Sequence, residues 1–166
     1  MSIKDQLTPE QWKAVYSAPA AASAFVAMAS GGGFDMFKEI AAAGKFISQG
    51  AAAGGDAGYG ALVAELLSLM KDMSRDEAKA AAVQYQGSKD PAAVRGQIKQ
   101  TVADAWAAVK DMPDADGFAR WIVDVARAAA LAKTGGHFGI GNKSMIDEQE
   151  QAALDDLANL MATLAG

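Results

Sequence analysis

The chain has 166 residues, 51% of them apolar by a count that includes alanine and 21% charged, with 20 acids against 15 bases and no cysteine. That length and composition fit one globular domain spanning residues 1–166. The net charge of −5, with Lys and Arg thinly spread, disfavours a nucleic-acid partner, and the lack of thiols excludes disulfides, thiolate metal sites, iron–sulfur clusters and a cysteine nucleophile.

The first stretch, MSIKDQLTPEQW, is polar and holds no apolar run of the kind a secretory leader needs, so no secretory signal is expected. Thr8-Pro9-Glu10-Gln11 reads as an N-cap, a proline at the first helical position and a capping-box partner. The helix it starts carries Trp12 and Val15 and is expected to stop near Ser17. Pro19 then opens a second helix with Phe25, Val26 and Met28, ended by Gly31-Gly32-Gly33. From Ala14 to Phe34 there are 21 residues without a charge, long enough to span a bilayer. Alanine, serine and glycine make them only weakly apolar, so a buried helix is expected and not a membrane span.

A third helix is expected from Phe34 to about Gln49, with Phe37, Ile40, Ala41, Gly44 and Ile47 on one side. GAAAGGDAGYG, Gly50 to Gly60, is a glycine-rich connection. Leu62, Val63, Leu66, Leu67 and Met70 form the next apolar stripe. Ser74-Arg75-Asp76-Glu77 is a second capping box, and its helix is expected to end near Gly87. Asp90-Pro91 starts a helix whose Val94, Ile98, Val102, Trp106 and Val109 share a face. DMPDADG, Asp111 to Gly117, is expected to be a turn before the stripe of Phe118, Trp121, Ile122, Val125 and Ala129. After the loop TGGHFGIGNKS, Asp147 to Glu150 is a third capping box, and Leu154, Leu157, Leu160, Met161 and Leu164 finish the chain.

No window alternates with period two. The expectation is an all-α, single-domain bundle of seven or eight helices.

Few residues invite chemistry. In the loop at Thr134 to Ser144, Gly136 and Gly141 have the spacing of a phosphate-binding loop. Asn142 stands where that loop needs lysine, and Lys143-Ser144 comes one residue late. No strand precedes the loop, and the helix after it has an acidic first turn that repels anions. The loop therefore reads as a helix connection. Its His137, Asn142, Lys143 and Ser144 are the candidate ligand residues of a second reading, a small-molecule or metal binder at Gly135 to Ser144. His137 is the only histidine, and no second ligand stands at the helical spacing a zinc or di-iron site uses.

Placing Gly117 at the turn of a calcium loop puts Met112 and Val123 on its first and last ligand positions, which rejects an EF-hand. Asp155-Asp156 is expected to be a solvated pair opposite the leucine stripe. The methionines read as core filling. No Gly-x-Ser-x-Gly elbow occurs. The sequence thus predicts no catalytic constellation, no cofactor and no resident metal. It leaves an interaction or scaffold role, with a protein partner or self-association, and the large aromatics Trp12, Phe25 and Trp121 as residues whose exposure would mark a partner surface.

Two segments, FVAMASGGGFDMFKEI with Glu39 and ALAKTGGHFGIGNKSMIDEQEQAAL with Glu148 and Glu150, each pair an alanine-rich helix and a glycine turn with a helix carrying an early glutamate. The pattern resembles the all-helical TerB-like domains. That family is linked to tellurite resistance and envelope stress, and the resemblance implies a bacterial, cytoplasmic helical domain and no particular activity. That family places Asp-Gly in the turns and its acids are thought to bind metal. Here the turns read Ser-Gly-Gly-Gly and Thr-Gly-Gly-His, without those aspartates.

Overall fold

The computed structural model describes residues 2–29, 44–47, 58–83, 90–132 and 146–165. All regular structure among them is α-helical. The helices are α1 (Ile3–Gln6), α2 (Pro9–Ala27), α3 (Ala61–Asp72), α4 (Arg75–Ala81), α5 (Pro91–Val109), α6 (Ala115–Ala132) and α7 (Glu148–Ala165). Of the helix expected over 34–49, residues 44–47 are described and are helical. The two glycine turns, Gly31 to Gly33 and Thr134 to Ser144, lie outside the described residues.

The three capping boxes form as the sequence predicts. The Thr8 and Ser74 hydroxyls accept from the amides of Gln11 and Glu77, whose side chains accept from the cap amides in return. Asp147 and Glu150 exchange the same pair of bonds, at 2.8 and 3.1 Å. A fourth box, Ser2 with Asp5, starts α1. Asp90 caps α5 by accepting from the Ala92 amide at 3.0 Å. Each such cap satisfies amides that the helix itself leaves without a partner.

The core is built around α2, which packs most extensively against α5 and then α6. Val15, Ala18, Ala22, Phe25 and Val26 are buried on it, and between Trp12 and Ala27 only Lys13 and Ala20 are exposed. A helix buried nearly all round needs no charged face, and that accounts for the uncharged run from Ala14 to Ala27. Among the described residues, no helix is long and apolar enough to cross a membrane.

One expectation is corrected. The helix does not stop at Ser17 and restart at Pro19: α2 is continuous, with Pro19 inside it and buried. An interior proline removes one helical hydrogen bond and disfavours the turn before it. Here burial on several sides holds the helix together through that defect. The buried Ser23 hydroxyl donates to the Pro19 carbonyl at 2.8 Å.

Two further boundaries move. The turn expected over 111–117 is shorter, because α6 already begins at Ala115 and takes Gly117 into its first turn. The helix α4 ends at Ala81, not near Gly87. The Val83 amide that follows donates to the Ser17 hydroxyl at 2.8 Å, which pins the chain onto α2 and gives the buried serine a partner.

Candidate functional site

Helix α6 and the residue before it make a chain of side-chain bonds with the segment that opens α3. Just before it, Asp114 has a φ of 63°, a left-handed conformation that aspartate tolerates better than most side chains. Its carboxylate accepts from the Ala61 amide at 2.9 Å and so caps α3 from 53 residues away. Gly60 makes room for it: a Cβ there would stand 2.7 Å from the Asp114 Cβ. Six residues on, Arg120 donates to the Gly58 carbonyl at 3.0 Å. Tyr59 then reaches along α6 and donates its hydroxyl to Asp124 at 2.8 Å. Arg127 binds the other oxygen of Asp124 at 3.1 Å. Burial, and then the bond to Asp124, push the Tyr59 hydroxyl up to about 12.

Beside this polar rail runs an open groove of about 470 Å³. Helix α6 lines it with Ala119 and Val123 and edges it with Asp116, Arg120, Asp124 and Arg127. The other wall is Ala158, Met161 and Ala162 of α7, and Trp106 of α5 contributes to the lining. Small residues on both walls let a third element approach the two helices closely. The indole N–H of Trp106 is buried and has no acceptor among the described residues.

Among the described residues its lining carries no histidine, serine or lysine, and Asp124 holds Tyr59 and Arg127 on its two oxygens. Among the described residues, no group of three or more His, Asp or Glu could hold a metal ion.

His137, Asn142, Lys143 and Ser144 lie outside the described residues, and so does Glu39. Glu148 is exposed, while Glu150 is buried and spent on the cap of α7. Trp12, Phe25 and Trp121 are only 6%, 2% and 1% exposed, so they belong to the core and form no partner patch. Lys4 and Arg95 lie over the rings of Trp12 and Phe25. Asp156 is not simply solvated: it pairs with Lys99 at 2.8 Å and ties α7 to α5. Nothing local in the sequence marks Tyr59, Asp114 or Asp124, because each acts on a segment more than 50 residues distant.

No protein-family model, curated protein or solved structure matches this chain.

Proposed function

We propose that the protein is a non-catalytic helical interaction module and that a partner docks in the groove between α6 and α7. The observation that carries this reading is the combination in that groove of an apolar lining with an edge of both charge signs. A partner helix gains affinity from the lining and orientation from the edge. The module is read as cytoplasmic on the sequence grounds given above. Its similarity to TerB-like domains supports a bacterial, stress-related setting as part of the same proposal.

The test is comparative capture. Wild-type protein, Ala162→Arg in the groove and Lys79→Glu on α4 are used as baits for partners from a cell extract. Both altered positions are exposed. The proposal expects Ala162→Arg to lose a partner that the other two retain. Identical retention by all three baits, or none by any, contradicts it.

A further inference from the structure

The charges along α6 have an order with a consequence for self-recognition. Asp116, Arg120, Asp124 and Arg127 follow one another at spacings of four, four and three residues. At about 100° per residue these positions fall on one face of the helix. The signs alternate, minus, plus, minus, plus. Read in reverse, the series becomes plus, minus, plus, minus. A second α6 laid antiparallel across it therefore meets opposite charges at every position. The pairs 116 with 127 and 120 with 124 share a midpoint near residue 122, as a two-fold axis requires.

Two apolar residues share nearly the same midpoint. Ala119 and Val123, half-buried beside the charges, flank that midpoint and would pack where the two helices cross. Leu131 continues the face four residues beyond Arg127, and it is 41% exposed. No other large hydrophobic among the described residues is exposed to that degree.

We propose that the α6 wall of the groove is an isologous interface, occupied by α6 of a second copy of this chain. This names the partner for the interaction surface inferred above and rests on that reading. Asp116 of each subunit pairs with Arg127 of the other, Arg120 pairs with Asp124, and the intramolecular contacts of Arg120 and Arg127 hold their heads along the interface edge.

The symmetry supplies the test. Asp116→Lys alone sets lysine against arginine twice across the axis, and Arg127→Glu alone sets glutamate against aspartate twice. Mixing the two variants restores an attraction at both places. In sedimentation at low salt, the wild type is expected to dimerise and each variant to dimerise roughly tenfold more weakly or worse. The equimolar mixture is expected to recover a dimer containing one copy of each. A wild type that stays monomeric at high concentration overturns the proposal, as do variants that dimerise like the wild type or a mixture no better than its components.

Should either variant fail to fold, Ala119→Cys decides. The chain has no cysteine of its own, so a short bis-maleimide should link two copies through this position. Absence of a linked dimer overturns the proposal. A monomer that still loses a captured partner on Ala162→Arg would remove the second copy as occupant and leave the interaction module standing.

Discussion

A Cβ placed on Gly117 would run into the carbonyl oxygen of Tyr59, so the backbone of residue 59 rests directly on the first turn of α6. This contact, with the bonds of Asp114 to Ala61 and Tyr59 to Asp124, fixes the start of α3 against the helix that forms one groove wall. Gly117→Ala is expected to destabilise the fold by about 1–3 kcal/mol, because backbone cannot yield as a side-chain tip can. Gly96 is the counter-case: it is exposed in α5 with open space at its Cβ position. Gly96→Ala is expected to stabilise by about 0.5–1 kcal/mol through helix propensity. Urea unfolding of both variants checks the pair, and equal effects would contradict the close approach at Gly117.

Tyr59 gives a pH signature. Its folded-state value of about 12 lies above the ordinary 10. The stabilisation linked to that shift is therefore complete below pH 10 and is lost as the pH rises towards 12. Tyr59→Phe should remove a late step in the tyrosinate absorbance titration and flatten the alkaline stability profile between those limits. At neutral pH it should cost about 0.5–1.5 kcal/mol for the hydrogen bond. Loss of amplitude near pH 10 instead of near 12 would contradict the raised value.

Two buried serines separate a needed hydroxyl from a dispensable one. Ser17 accepts from the Val83 amide, which has to be satisfied on folding. Ser17→Ala should cost about 1–2 kcal/mol. Ser23 donates to the Pro19 carbonyl within its own helix. Ser23→Ala should change stability by less than about 0.5 kcal/mol, since alanine is the better helix former. Thermal unfolding of both variants tests the contrast, and a reversed order would refute the assigned roles.

Local signals carried most of the helices. Capping boxes at Thr8, Ser74 and Asp147, and the stripes through Ile98, Val102 and Trp106 or Phe118, Trp121 and Val125, are written in neighbouring residues. Ser2 with Asp5 carries the same Ser-x-x-acid signature within a segment that reads only as polar. Pro19 misleads because its local cost is outweighed by burial that α5 and α6 supply from elsewhere in the chain. The groove was not legible at all. It exists only where α6 and α7 lie side by side, and its tyrosine latch joins residues 65 positions apart. The charge series on α6 is visible in the sequence, but it acquires meaning only once the exposed face is known.

Site-specific photo-crosslinking tests the interaction reading most directly. A photoreactive side chain at Ala158 in the groove is compared with one at Ala93 near the start of α5, both exposed positions. A discrete protein adduct is expected from position 158, with a second copy or another chain, and none from position 93. Equal labelling from the two positions, or none from position 158 under conditions where other surface positions react, would contradict it.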